Sequence, residues 1–279
     1  MARYAIISDI HGNLTALNAV LENIKKQNID KIICLGDTIS KGSHSHECLN
    51  IIREKCDVVL QGNNDLEYTK SLDEIASLDG EDFDYEAFYF NQKQLTNEDI
   101  DYLKKLPYCC EFKLSGLLVR CYHASPVDLY KIVVEYSSLP DKLLQFAPTK
   151  FTTPEVADVV VFGHTHSSSL ECLFGRRLIN AGSVGNPSAY VMKDEYNNAN
   201  KSLATMAQYI ILEGDEDKES GEFKQEFICL KYDIENEIKD FKFDKEKACY
   251  LKELKQGVYR HQDRINKRLV ELGSKIDEI

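Results

Sequence analysis

Ser8-Asp9-Ile10-His11-Gly12-Asn13 is the stretch on which the reading of this chain turns. It follows Tyr4-Ala5-Ile6-Ile7, an apolar run that reads as a buried strand. It precedes Leu14, Leu17, Val20, Leu21 and Ile24, which are apolar at helical spacing. Asp9 and His11 therefore stand on the turn at the carboxyl end of a first strand, where open α/β sheets gather their ligands. Residues at i and i+2 of a tight turn can aim a carboxylate and an imidazole into one space. That oxygen and nitrogen pair suits a borderline divalent metal. By itself Asp-x-His is a weak signal, because polar turn residues and a helix cap at Asn13 are ordinary there. Its weight depends on the partners supplied by the rest of the chain.

The composition bounds those partners. At 279 residues the chain is long enough for one sizeable α/β domain plus an appendage. Its 43% hydrophobic and 29% charged content is ordinary for a soluble globular protein. A formal net charge of -12 argues against a general polyanion-binding surface, so nucleic acid is not an expected partner. A small anionic substrate stays compatible with that charge if metal ions supply local positive charge. The cysteines are odd in number and contain no C-x-x-C, which excludes a disulfide framework and a zinc ribbon. Cys34, Cys121 and Cys229 fall in apolar runs and read as small core residues, in keeping with a reducing cytosol. No signal-like segment opens the sequence and no apolar run approaches membrane-spanning length, so a soluble, cytoplasmic protein is expected, with no membrane partner.

Taken in order, Lys31-Ile32-Ile33-Cys34-Leu35 is a second strand-like run that ends at Gly36-Asp37-Thr38. A polar loop over 40–46 leads into a helix near 47–53, and Val58-Val59-Leu60 then ends at Gly62-Asn63-Asn64-Asp65. This alternation implies parallel strands joined by crossover helices. Residues 66–106 read as helical, acidic and aromatic, with Thr96-Asn97-Glu98-Asp99 capping a helix that stops before Pro107. Phe83, Tyr85, Phe88, Tyr89 and Phe90 are taken as core and lid packing in preference to a base-stacking platform. Runs over 112–114 and 117–122 predict a hairpin around Ser115-Gly116, its second strand ending at His123. A helix is predicted over about 139–146. Val159-Val160-Val161-Phe162 is a pure β-branched and aromatic run ending at Gly163-His164-Thr165-His166. Short strands are predicted over 170–173 and 177–179, and a long antiparallel hairpin over 204–212 and 223–232. After Asp233 the chain becomes Lys/Glu-rich, with Leu251, Leu254, Val258, Ile265, Leu269 and Leu272 at helical spacing around Gly257. The chain is thus divided into a domain over 1–233 and a helical C-terminal extension over 234–279. The extension is expected to dock on the domain or on a second subunit, which would make a homo-oligomer through these helices.

Seven candidate ligands now stand at loop ends after strand-like runs: Asp9, His11, Asp37, Asn63, His123, His164 and His166. Any one alone, such as His123, is more simply a hydrogen-bonded edge residue. Packing does not readily explain all of them together, because each of the five blocks they form follows an apolar run of its own. Gly-His-Thr-His is the sharpest piece, since two imidazoles at i and i+2 after a buried strand rarely serve packing.

In this order the blocks resemble the calcineurin-like metallophosphoesterase superfamily. Its signature runs Asp-x-His, Gly-Asp, Gly-Asn-His-Asp/Glu, a lone His, and Gly-His-x-His. This chain reads Asp9-Ile10-His11, Gly36-Asp37, Gly62-Asn63-Asn64-Asp65, His123 and Gly163-His164-Thr165-His166. Spacing and length are most similar to the compact bacterial and archaeal phosphodiesterase branch, where Ser-Asp-Ile-His-Gly-Asn and a later Asn-x-Gly-Ser-Val-Gly are usual. Asn180 to Gly185 matches the latter, and the resemblance covers about residues 3–232. It implies an α/β fold, a four-layer α/β/β/α sandwich of two mixed sheets flanked by helices, here with a helical C-terminal tail. It also implies two divalent metal ions (Mn, Fe, Zn, Co or Ni) bridged by Asp37, the first held by Asp9, His11 and His166 and the second by Asn63, His123 and His164. The implied activity is a phosphoesterase acting on phosphodiesters or small phosphomonoesters, with a metal-bridged hydroxide attacking phosphorus. Asp37, Asn63, Asn64, Asp65 and His123 are the implied catalytic set.

One departure stands out. In many relatives the residue after the metal-binding Asn is a His that protonates or stabilises the leaving group. Asn64 takes that position here and has no titratable proton. The expected consequence is a preference for leaving groups that need no general acid, such as aryl or nucleotidyl oxygens. His44 and His46 are weighed as replacements, with a solvated loop role the simpler reading. Asp65 is expected to orient its loop neighbours. Ser183 and Asn180 would offer donors near the phosphate or merely build a turn. An alternative of another class is a metal-binding scaffold acting through its surface, which Asn64 alone favours. The acidic balance disfavours a nuclease, and Ser167-Ser168-Ser169 breaks the His-x-His-x-Asp-His block that a metallo-β-lactamase-like hydrolase needs.

Overall fold

β1 (Ala2–Ile7) is buried on both faces, Tyr4 and Ile6 turning to one side and Ala5 and Ile7 to the other. That double burial is why its sequence reads as an unbroken apolar run and not as an alternating one. The computed structural model describes residues 1–70, 74, 85–188, 205–242 and 249–257. In it β1 pairs in parallel with β2 (Lys31–Cys34), and β2 with β3 (Val58–Val59). The crossover helices are α1 (Leu14–Ile24), capped by the Asn13 side chain as expected, and α2 (Ser45–Lys55). On its other side β1 pairs antiparallel with β9 (Ala207–Gly214), which carries β10 (Lys224–Leu230). The first five-stranded sheet therefore has the order β10-β9-β1-β2-β3.

The second sheet is built from β4 (Cys109–Leu114), β5 (Leu117–Tyr122), β6 (Val159–Phe162), β7 (Ser169–Leu173) and β8 (Arg176–Asn180). Its order is β4-β5-β6-β8-β7, parallel through β5, β6 and β8 and antiparallel at both edges. Both hairpins expected from the sequence are present, as β4 with β5 and β9 with β10.

The two sheets stack. Tyr4, Ile6, Ile33 and Leu35 of the first meet Val119, Cys121, Val159, Val161 and Ile179 of the second in one apolar layer. The outer face of the first sheet packs Ala5 and Ile7 against Leu17 and Val20 of α1 and Cys48 and Ile52 of α2. Each aliphatic side chain buried in this way contributes about 1.5–3 kcal/mol. Between β3 and β4 lie α3 (Asn63–Glu67), α4 (Tyr85–Gln92) and α5 (Asn97–Leu103). The Thr96/Asp99 capping box opens α5. Phe88 stacks on Tyr68 with ring centroids 4.4 Å apart, which is core packing, whereas Tyr89 is exposed. Phe83 and the Tyr85 side chain lie outside the described residues. On the outer face of the second sheet, Val160 and Phe162 are covered by Val133, Phe146 and Ala157. This fourth layer is a loop-rich segment over 124–157 with the short α6 (Leu139–Leu144).

Two local expectations are corrected. Cys34 and Cys121 are buried, but Cys229 is exposed, because β10 is an edge strand whose alternate residues face outward. The second helix begins at Ser45, so His46 is helical and not part of a loop. Beyond the sandwich, α7 (Ile234–Asp240) is capped by Asp233 and is followed by α8 (Cys249–Gln256). Phe241, Tyr250, Leu251 and Leu254 cluster with Ile234 and Ile238. The Thr15 hydroxyl of α1 donates to Glu237 of α7 at 2.9 Å, which ties this segment to the domain. Val258, Ile265, Leu269 and Leu272 lie outside the described residues. Among the described residues, no helix is long and apolar enough to cross a membrane.

Candidate metal centre

The loops that follow β1, β2, β3, β5 and β6 converge, and their backbones are unusual. Asp9, His11, Asp37, His164 and His166 have φ of 54°, 52°, 53°, 65° and 62°. Side chains seldom tolerate this left-handed region, and each such residue costs on the order of 1 kcal/mol or more. Hydrogen bonds between loops hold the chain there. Asp9 N donates to Gly36 O, His11 N to Asp37 O and His164 N to Asp9 Oδ2, each at 3.0 Å.

The strained turns aim side chains at one another. His11 Nε2 lies 3.0 Å from His166 Nε2. Their Nδ1 atoms face backbone carbonyls, Ile39 O at 3.3 Å for His11 and Asn186 O at 2.7 Å for His166. A carbonyl only accepts, so each Nδ1 carries the proton and each Nε2 presents a lone pair. Asp9 Oδ1 stands 3.3 Å from His166 Nε2 and 3.8 Å from His11 Nε2, buried and without a hydrogen-bond partner. Three buried lone-pair donors thus converge with no proton between them, which is the environment a cation satisfies. A second corner repeats the pattern. His123 Nδ1 faces Leu35 O at 3.2 Å, and its Nε2 faces the acceptor Asn63 Oδ1 at 3.0 Å. Asp37 Oδ2 is 3.5 Å from His123 Nε2 and 3.7 Å from His11 Nε2, so one carboxylate oxygen stands between the two corners. The His164 ring neighbours that of His123, centroids 5.1 Å apart, and donates to the Tyr130 carbonyl; it belongs to neither converging group.

The electrostatics agree with this geometry. Burial lowers the pKa of His11, His123 and His166, and Lys41 adds its positive charge against His11 and His166. Burial with the neighbouring His123 takes His164 down to about 3. All four rings are therefore neutral near pH 7, the state in which imidazole ligates. Burial pushes the Asp9 carboxyl up, but His166, His123 and His11, which gain charge only in the acid range where a carboxyl titrates, outweigh it there and hold it below the ordinary range. Burial and the Asp9 charge raise Asp37. A donor set of imidazole nitrogens, carboxylates and one amide oxygen fits divalent transition metals.

The surrounding residues have distinct tasks. Asn64 donates to Asp37 from both its backbone and its side chain, so it faces the carboxylate standing between the corners. Asp65 is fully buried and accepts from Asp37 N at 2.7 Å, Gly62 N at 3.0 Å and Thr38 N at 3.1 Å. It ties the loop at 37–38 to the loop at 62–65. Burial, and then the Asp37 charge, push its carboxyl up to about 7. Gly62 and Gly163 are required for close approach. A Cβ on Gly62 would overlap the Asp37 backbone N and Oδ1, and one on Gly163 would come within 2.5 Å of Asp9 Oδ2.

The side-chain donors of Asn180 and Ser183 are engaged by the loops beside their turn. Asn180 Nδ2 donates to Gly163 O at 2.8 Å and Thr165 Oγ1 at 2.9 Å, while Ser183 Oγ donates to Asp9 O at 2.7 Å. Neither His44 nor His46 is a solvated loop residue. His44 is buried and faces Asp240 of α7 at 3.7 Å. His46 is held by Asp99 at 2.7 Å and by Asn50 at 2.9 Å. Lys41 and the Glu67–Tyr130 hydrogen bond beside Asn63 were not singled out from sequence. For Lys41 the available signal was a Ser-Lys-Gly-Ser loop just after Asp37, where Ser40 and Lys41 have φ of 85° and 57°.

A family model described as the calcineurin-like phosphoesterase superfamily domain matches residues 3–196. The chain is 31% identical over 253 residues to an uncharacterized protein of Methanocaldococcus jannaschii, across 82% of this chain and 88% of that protein. Its fold is similar to that of a metallophosphoesterase from Sphaerobacter thermophilus, with a TM-score of 0.65 at 22% identity over 92% of this chain and 100% of that one. It is also similar to a hypothetical protein from Pyrococcus horikoshii, with a TM-score of 0.69 at 21% identity over 93% of this chain and 100% of that one.

Proposed function

The chain belongs to the calcineurin-like phosphoesterase superfamily, and from that premise we propose that it is a metal-dependent hydrolase of phosphodiesters or small phosphomonoesters. The observation that carries the proposal is the convergence of the His11 and His166 Nε2 atoms on Asp9 Oδ1, with Asp37 Oδ2 between His11 and His123. Two metal positions are inferred, with Asp37 facing the histidines of both. Asp9, His11 and His166 would hold the first, and Asn63 and His123 the second; His164, beside His123 but in neither converging group, is the remaining candidate for the second. The donors suit Mn, Fe, Zn, Co or Ni. When bound, such ions lower the pKa of a water molecule and draw charge from phosphate oxygens.

The chain's own residues prepare the site for this. Backbone carbonyls fix the histidine tautomers, burial keeps the rings neutral, and Asn64 fixes the Asp37 carboxylate. Lys41 adds a local cation in a chain of net charge -12, which favours the approach of an anionic ester. Since Asn64 offers no proton, esters with good leaving groups, aryl or nucleotidyl, are the favoured class. The test is hydrolysis of bis-nitrophenyl phosphate by apo-protein resupplied with Mn, Co, Ni or Zn, with Asp37→Ala as control. Turnover that needs metal and Asp37 is expected. Bound metal with no turnover on any mono- or diester would overturn the proposal in favour of a scaffold.

A further inference from the structure

The first metal corner is braced from outside the sandwich. Tyr250 and Glu253 are three residues apart on α8 and so share one helix face. Both meet the turn over 185–186. Tyr250 donates to Gly185 O at 3.2 Å, and Glu253 Oε2 accepts from Asn186 Nδ2 at 2.8 Å. That turn is also part of the cage. Asn186 O accepts the His166 Nδ1 proton at 2.7 Å, Gly185 N donates to Asp9 O at 3.0 Å, and Asn13 Nδ2 donates to Gly185 O at 2.9 Å. Asn186 N donates in turn to Ser183 Oγ, which donates to Asp9 O. These contacts lead to Asp9 and His166. In the second corner His123 Nδ1 faces Leu35 O; Asp9 also converges there with Asp37 and His123, whereas His166 does not.

The choice of residue is informative. Glu253 is only 2% exposed and sits beside the apolar Tyr250, Leu251 and Leu254. Burying a carboxylate is costly unless it is hydrogen-bonded, and a simple clamp would be better served by an apolar side chain. A carboxylate on Asn186 Nδ2 sets the orientation of that residue, and the Asn186 carbonyl sets the tautomer and aim of His166. Partners one step removed from a metal typically change its affinity 10–100-fold when removed.

We propose that Glu253 is a positioning residue for the first metal position. Acting through Asn186 on His166, it lets docking of the C-terminal segment set metal affinity at the first position, Asp9, His11 and His166, more than at the second, which does not include His166. The inference rests on the two-position reading above. It is tested by titrating Mn2+ into the full-length apo-protein by calorimetry, with electron paramagnetic resonance to distinguish paired from single ions. Wild type should show two binding events and a spin-coupled pair. Glu253 acts one hydrogen bond beyond the direct partner of His166, so Glu253→Ala should weaken one event by about tenfold, the low end for such partners, change the other much less and reduce the spin-coupled signal. Glu253→Gln keeps an acceptor for Asn186 Nδ2, so it should restore wild-type binding. Asn186→Ala breaks the same link from the domain side without touching α8. It should reproduce the selective loss even if Glu253→Ala does not fold, and the double variant should lose no more than either single one. Two events in wild type that remain unchanged in Glu253→Ala and Asn186→Ala overturn the inference, and so does equal weakening of both events. No Mn2+ binding by wild type overturns the metal reading instead.

Discussion

Asn64 binds Asp37 twice: its backbone N–H donates to Oδ1 at 2.8 Å and its side-chain Nδ2 to Oδ2 at 2.6 Å. The residue that replaces the usual imidazole therefore serves the carboxylate between the two corners. Asn64→His should release that carboxylate and introduce a proton donor. Turnover of alkyl phosphates should rise relative to nitrophenyl esters by about tenfold or more, since a positioned acid contributes roughly 10²–10⁴-fold. Steady-state kinetics on the two classes decide, and an equal change in both would sink the idea.

Metal content should follow the geometry of Asp37. With its oxygen 3.5 Å from His123 and 3.7 Å from His11, Asp37→Ala should reduce bound metal at both corners, whereas His166→Ala should empty the first. Elemental analysis after equilibration with excess Mn2+ and gel filtration reads the stoichiometry directly. Full metal content in Asp37→Ala would count against a shared ligand.

Gly62→Ala is a steric test. Gly62 has φ of -91°, which alanine accepts, yet its Cβ would overlap the Asp37 backbone. Overpacking of this kind costs about 1–3 kcal/mol, and the displaced Asp37 should bind metal more weakly. Urea unfolding with a parallel metal titration measures both effects.

Glu237 predicts a pH dependence of stability that is independent of the metal site. Burial, with a smaller push from Asp240, raises its carboxyl from 4.5 to about 7, against the Thr15 hydrogen bonds that lower it. The folded state then holds the proton more tightly than the unfolded one. Its contribution is full below about pH 4.5 and is lost as pH rises through about 7, on the order of 3 kcal/mol at most. Glu237→Gln should flatten the slope of unfolding free energy between pH 5 and pH 7.5, measured by denaturant titration at several pH values. An unchanged slope would remove Glu237 as its source.

Phe174→Asn should stabilise the protein without affecting activity. Phe174 is 78% exposed with φ of 51° and is followed by Gly175 at 81° in the β7–β8 turn. Asn-Gly is the pair that such a two-residue turn prefers, so a gain of about 0.5–1 kcal/mol is expected. A rise in Tm of a few degrees with unchanged kcat is the supporting result, and a fall would refute it.

The strands were legible because burial writes itself into periodicity. β1 and β6 are covered on both faces and read as unbroken apolar runs, whereas β10, at an edge, alternates. The same alternation turned Cys229 outward, which its apolar neighbours had concealed. His46 lay in the first turn of a helix whose start the polar loop did not mark, and Asp99, far along the chain, captured it. Asn180 and Ser183 were visible as polar turn residues. Only their partners, Gly163 and Asp9, show that they support the site from beneath.

The sequence by itself determined where the ligand-type side chains stand. Asp9, His11, Asp37, Asn63, His123, His164 and His166 form five blocks that each follow an apolar run, and strand alternation with crossovers brings such loop ends to one edge. What only the tertiary structure decided is how those groups are protonated and aimed. The carbonyls that fix the histidine tautomers belong to Ile39, Leu35 and Asn186, and the carboxylate that steadies Asn186 comes from Glu253 on α8. A one-dimensional pattern records how exposed each segment is. A hydrogen bond depends on which atoms distant segments bring within 3 Å of one another, and no period in the sequence carries that.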